Sequence, residues 1–324
     1  TPASQNRKIM ETNVQSKIVI AGTSHLTKRP HDTPCNVIEL MCEATQRAAE
    51  DAGNDAILSV VDQIIVPQGT WTINNPGGLV AQHLGIPAKS ITYNVGILQS
   101  SLIKRAIEDV NAAKSRCTLI VGGEAKDYER NVSESLHAIP TLSDSRRQES
   151  SELIQPAELP ISRYEIDMGL IRAPDQYALI ENAYAHAHKL TRESHQELIN
   201  NEWEEMASIA DSIPSSWIRD AHDHLKNNGW GRTIATPYML HHVTQWNVNQ
   251  AAAILITTED VAEIYSKGSD EFIFPNALIE SNAVIPLSER RQLHHCNGLH
   301  HIKNEYVRLT GMNPSESQFH ELYS

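Results

Sequence analysis

Apolar residues along this chain follow two rhythms. Short runs of β-branched and aliphatic residues alternate with longer stretches in which apolar positions recur every three or four residues. The short runs are KIVIAGTSH (Lys17–His25), VVDQIIVP, SITYNV and CTLIVGGEA (Cys117–Ala125), and they predict strands. Between the first two, VIELMCEATQRAAEDAG (Val37–Gly53) sets Val37, Leu40, Met41, Ala44 and Ala48 on one helical stripe, with Gly53 as its stop. NPGGLVAQHLGIP (Asn75–Pro87) predicts a short helix opened by Asn-Pro and closed by Gly85. After SITYNV, a further helix gathers Leu98, Leu102, Ile103, Ala106, Ile107 and Val110 on its buried face.

Strand and helix alternate through short connections, which argues for a mostly parallel sheet covered by helices on both faces. From Lys126 the rhythm breaks. A Ser- and Glu-rich stretch reads as exposed loop and is followed by two long helices, PDQYALIENAYAHAHKL and RESHQELINNEWEEMASIADSI. AAAILIT then returns to strand, FIFPNALIES reads as strand, LHHCNGLHHIKNEYVRLTG as helix, and QFHELYS as a strand still in progress. The expected organisation is a flexible start (1–16), a first half made of 17–125 and 250–265, an inserted helical domain (126–249), and the opening of a second half (266–324) that continues past Ser324.

Composition narrows the class. At 324 residues the chain can bury a large core. It carries 27 Lys and Arg against 40 Asp and Glu, a formal charge of −13, which argues against a nucleic-acid partner. No apolar run is long enough for a bilayer, so no membrane partner is expected, and the cytoplasm is the default compartment. Cys35, Cys42, Cys117 and Cys296 show no close metal-ligand pairing.

The turn between SITYNV and its helix is a place where many enzymes put a nucleophile or an anion site. Its tip holds Val95, Gly96 and Ile97, none of which can be acylated. Ser100 and Ser101 lie within the helix and have no base nearby in sequence. LHHCNGLHH (Leu293–His301) offers His294, His295, Cys296, His300 and His301, but Asn297-Gly298 interrupts them and no fourth ligand is evident, so no metal is expected. His241 and His242 either belong to a loop packed on the sheet or face a site. No strand is followed by Gly-x-Gly-x-x-Gly, which disfavours a dinucleotide fold.

The five segments IELMCEATQRAAEDAG, NPGGLVAQHLGIP, LIVGGEA, ATPYMLHHVTQWNVNQAAAILI and FHELYS, in that order and spacing, resemble the thiolase superfamily. The closer likeness is to thiolase-like proteins described as acetyl-CoA acetyltransferases and related to sterol-carrier-type thiolases. The resemblance implies an α/β thiolase-like fold: a mixed five-stranded sheet with helices on both faces, an inserted helical loop domain and a second related half. It implies a CoA thioester as substrate or ligand, no other cofactor, and a homodimer or larger oligomer with Ser90–Asn94 at the interface.

Catalytic members place a Cys at the strand-to-helix turn, where this chain has Val95-Gly96. The resemblance assigns substrate binding to Val95, Gly96, Tyr238 and His241. It matches His320-Glu321-Leu322-Tyr323 to a family motif, in which His320 would hold a water or donate to a thioester oxygen. Two functions follow from it. One is a thiolase-type acyl-CoA acyltransferase with an atypical site. The other is a non-catalytic acyl-CoA-binding or scaffold subunit.

Overall fold

In a computed structural model, the chain is described over residues 17–131, 149–218, 220–245, 247–265, 272–281 and 284–317. Residues 17–131 alternate as the sequence predicts: β1 (Ile18–Thr27), α1 (Val37–Asp51), β2 (Gln63–Pro67), α2 (Pro76–Leu84), β3 (Lys89–Tyr93), α3 (Gln99–Asn111), β4 (Cys117–Ala125) and a short α4 (Lys126–Asn131). A three-residue strand, β5 (Glu152–Ile154), follows. The inserted region holds α5 (Arg163–Asp167), α6 (Ala173–Ala187), α7 (Arg192–Ser212) and α8 (Ala221–Asn228). A small hairpin of β6 (Thr233–Ala235) and β7 (Tyr238–Met239) ends it. The chain returns to the sheet as β8 (Asn249–Thr258), then forms α9 (Glu259–Tyr265) and α10 (Asn297–Thr310).

The sheet has six strands in the order β1-β8-β4-β2-β3-β5, not the five expected. β8 runs antiparallel to β1 and β4, while β4, β2, β3 and β5 are mutually parallel. The extra strand comes from the Ser- and Glu-rich stretch read as loop. Its three residues are held by pairing with Ile91–Tyr93, not by apolar periodicity of their own. FIFPNALIES is also corrected: it makes only an isolated bridge, Ile20 to Ile273, and forms no strand.

Side-chain alternation along the central strands divides the core. Ile64 and Val66 of β2, with Leu119 and Val121 of β4, face α1 and α2. Ile65 and Ile120 face α3 through Leu102, Ala106 and Val110. Helix α1 starts on a capping box, in which Asn36 accepts from the Glu39 amide and Glu39 accepts from the Asn36 amide. It lies so close to β1 that a Cβ on Gly22 would sit 2.1 Å from the Ala48 carbonyl oxygen, so no larger residue fits there.

Asn249 explains the start of NQAAAILI. Fully buried, it accepts from the Tyr128 amide at 2.9 Å and donates to Asp127 at 3.1 Å and to the Lys28 carbonyl at 3.3 Å. It therefore ties β8 to the ends of β1 and β4, where the insertion leaves and rejoins the sheet. Arg29, just past β1, donates to the carbonyls of Trp217, Ser216 and Pro214 and pins the loop after α7.

Ser90–Tyr93 is buried within the chain. β5 covers the outer edge of β3 over Ile91–Tyr93, so a second chain can pair along that edge only by displacing β5. Arg105 of α3 locks the cover in place. It donates to Asp109 at 2.5 Å and to both carboxylate oxygens of Glu152 at 2.9 and 3.3 Å. Burial by itself would raise the Asp109 carboxyl, yet hydrogen bonds from Arg105 and Gln63 hold it below the usual carboxylate range.

Candidate functional site

The parallel strands β2, β3 and β5 end on one side of the sheet, the usual side for ligands in α/β folds. There β3 gives way to α3 through a short exposed turn. Gly96 takes φ +97°, a left-handed conformation that a side chain would strain. Val95 beside it is 66% exposed. Asn94 shapes the turn: its Oδ1 accepts from the Val95 amide at 2.8 Å, and its Nδ2 donates to Gln155 Oε1 at 2.6 Å. No side chain caps α3. Its first turn thus offers backbone N–H groups and the positive end of a helix dipole, but no side-chain nucleophile at the tip.

A carboxylate has taken up position next to it. Glu280 Oε1 accepts from Ser101 Oγ at 2.7 Å and from Ser100 Oγ at 3.1 Å, and Lys104 Nζ lies 3.5 Å from Oε2. The Glu280 side chain is only 6% exposed. Ser100 and Ser101 are therefore donors to a resident anion, in keeping with their poor prospects as nucleophiles. Nothing in the local sequence of Glu280 points to this role, because the contact spans 179 residues.

Beside the turn opens a cleft of about 810 Å³. Gln68, Thr70, Asn74, Asn94 and Ser150 give it amides and hydroxyls, Glu149 and Glu152 give it negative charge, and among the described residues no Lys or Arg lines it.

The thiols are poor candidates for covalent chemistry. Burial pushes Cys35 up to about 11, and Cys42 and Cys117 up to about 12. Cys296 is exposed and forms the N-cap of α10, outside the turn.

The structure brings Val95 and Gly96 together at the turn. Tyr238 and His241 find their partners in the insertion instead. The Tyr238 hydroxyl donates to Glu181 Oε2 at 2.8 Å, and burial followed by that bond pushes the phenol well above its ordinary value. His241 meets His224 edge-on at 5.0 Å. Its neighbour His242 is buried and packs on Trp230 at 4.2 Å, while its Nδ1 accepts from the Met239 amide at 3.0 Å. His242 packs within the insertion, on Trp230 and Trp203, rather than on the sheet. His320 lies outside the described residues. His295 and His300 stack at 4.8 Å. Among the described residues, no three or more His, Cys, Asp or Glu side chains converge as metal ligands. No described helix is long and apolar enough to cross a membrane.

No protein-family model and no curated protein matches the chain. Solved structures do. A monomeric SCP2-thiolase-like protein type 1 from Mycobacterium smegmatis superposes with a TM-score of 0.71 at 21% identity, over 95% of this chain and 60% of that one. The Ltp2–ChsH2(DUF35) aldolase gives 0.63 at 17% identity, over 93% of this chain and 71% of that one. This chain thus spans 60% of the length of the Mycobacterium smegmatis protein. The likeness confirms, at the level of fold, the resemblance carried by the sequence motifs: the chain has the thiolase-like fold of the SCP2-thiolase-like proteins.

Proposed function

We propose that this chain binds an acyl-CoA thioester at the β3–α3 turn without forming an acyl-enzyme there. The single observation behind this reading is the turn itself. It presents Val95 and Gly96, neither of which can be acylated, at the uncapped start of α3, and the sequence resemblance matches this turn to the one that carries a cysteine in catalytic thiolases. The N–H groups and dipole of that helix suit the partial negative charge of a thioester oxygen. The amide- and hydroxyl-lined cleft beside the turn suits the amide-rich pantetheine arm of CoA. Tyr238 and His241 would serve as binding residues only where the ligand reaches the insertion.

A second reading shares the same ground state. One structural neighbour is an aldolase. A fold that holds a thioester without attacking it leaves the carbonyl free as an electron sink while another bond of the substrate breaks. The acyltransferase reading would instead need direct transfer between two bound substrates, since no nucleophile stands at the turn.

The test is calorimetric titration of the full chain with a thioether analogue of acetyl-CoA and, separately, with free CoA. Saturable binding of both, tighter for the analogue, supports the reading. Absence of binding to either refutes it.

A further inference from the structure

A second cavity, of about 340 Å³ and open to one side, lies in the insertion between α6 and α7, flanked by Tyr238 of β7 and by residues 293–296 ahead of α10. It shares no lining residue with the cleft at the turn. Its volume is at the lower end for small-molecule sites. Apolar, aromatic and acidic walls surround it, and His294, His295 and Cys296 complete the lining at its rim. Ile180, Leu198, Ile199 and Leu293 are aliphatic. Tyr184, Trp203 and Tyr238 supply aromatic rings. Glu181 and Glu202 are carboxylates, and among the described residues no Lys or Arg lines the cavity.

Glu181 is not a loose surface acid. Its Oε1 accepts from Nε2 of the buried His195 at 2.8 Å, and its Oε2 accepts from the Tyr238 hydroxyl at 2.8 Å. Two donors thus fix the carboxylate in the wall, and each oxygen keeps a further lone pair. Burial first, and then the hydrogen bond to Glu181 and the nearby Glu202, keep the Tyr238 phenol protonated, so it stays a donor to Glu181. An inorganic cation is a poor match for so much apolar wall, and no convergent ligand set exists among the described residues.

We propose that this cavity binds a small organic ammonium ion, an alkylamine or arylalkylamine in its protonated form. The carboxylates offset its charge, the aromatic faces attract it through their quadrupoles, and the aliphatic wall covers its carbon skeleton. The cavity shares no lining residue with the cleft at the turn, so the proposal does not rest on the thioester reading.

Ligand-observed NMR and calorimetry with 2-phenylethylammonium on the full chain test this, with 2-phenylethanol as the neutral isostere. Binding of the ammonium, with the alcohol about tenfold weaker or more, is the expected result. Glu202 is exposed, so Glu202→Gln keeps the fold and should weaken binding about fivefold, and Trp203→Leu about tenfold. Acetyl-CoA should not displace the probe. No ammonium binding, equal binding of the alcohol, indifference to both substitutions, or displacement by acetyl-CoA would each overturn the proposal.

Discussion

Glu280 accepts a hydrogen bond from Ser101 at 2.7 Å and so places a carboxylate on the first turn of α3, beside the Val95-Gly96 turn. That carboxylate is held by a second serine and a lysine. It stabilises the start of the helix by about 0.3–1 kcal/mol, as anions there do. It also competes with any ligand that brings negative charge to the same turn.

Removing that charge should trade stability for affinity. Glu280→Gln is expected to bind the acetyl-CoA thioether analogue about threefold more tightly, while losing a few tenths of a kcal/mol of stability. Titration calorimetry and thermal unfolding check the pair of effects. Unchanged or weaker binding would show that Glu280 does not face the ligand.

Arg105 holds β5 against the edge of β3. Arg105→Met leaves the Asp109 side chain, only 3% exposed, without its main partner, which costs about 3 kcal/mol. It also frees Glu152. Faster amide exchange in β5 and concentration-dependent self-association through the bared β3 edge should follow, seen by hydrogen exchange and light scattering. Slow exchange in β5 with a lone species would mean that strand pairing alone suffices.

His242 makes the insertion sensitive to acid. Burial, with a smaller contribution from the His241 charge, lowers it from 6.5 to about 4. Below pH 6.5 the unfolded chain takes a proton that the folded chain refuses, so the stabilisation is complete above pH 6.5 and is lost between pH 6.5 and about 4. The loss amounts to roughly 3 kcal/mol at most. In His242→Gln this part of the pH dependence should flatten in denaturant titrations, and an unaltered slope would assign it to other groups.

The four thiols should separate by reactivity. Cys296 is exposed, whereas burial holds Cys35 protonated up to about 11 and Cys42 and Cys117 up to about 12. Iodoacetamide at pH 8 should therefore label Cys296 first, with the other three reacting only on unfolding. Peptide mass mapping gives the order. Rapid labelling of Cys35 in the folded chain would reopen it as a nucleophile.

The first half was legible in the sequence because its signals are local. Continuous apolar strands, the one-sided stripe of α1 and the Asn-Pro start of α2 each declare their element within a few residues. The empty tip at Val95-Gly96 was legible for the same reason. β5 was not, since its strand state comes from the edge of β3 and the Arg105 lock rather than from its own residues. FIFPNALIES carries strand-forming residues but finds only one bridging partner in β1. Glu280 and the Glu181–His195–Tyr238 group were out of reach for a related reason: each joins residues on different elements, and spacing along the chain says nothing of such contacts.

The central claim is that the turn holds a thioester and lacks only the nucleophile. Intact-mass spectrometry of the full chain and of Val95→Cys, each incubated with acetyl-CoA, tests it most directly. A thiol at the start of α3 leans towards thiolate, as thiols at helix N-termini do. The account predicts no adduct on the unaltered protein and a single acetyl group on the introduced cysteine. A stoichiometric acetyl adduct on the unaltered chain would contradict it, and so would a Val95→Cys protein that stays unmodified while its thiol reacts freely with iodoacetamide.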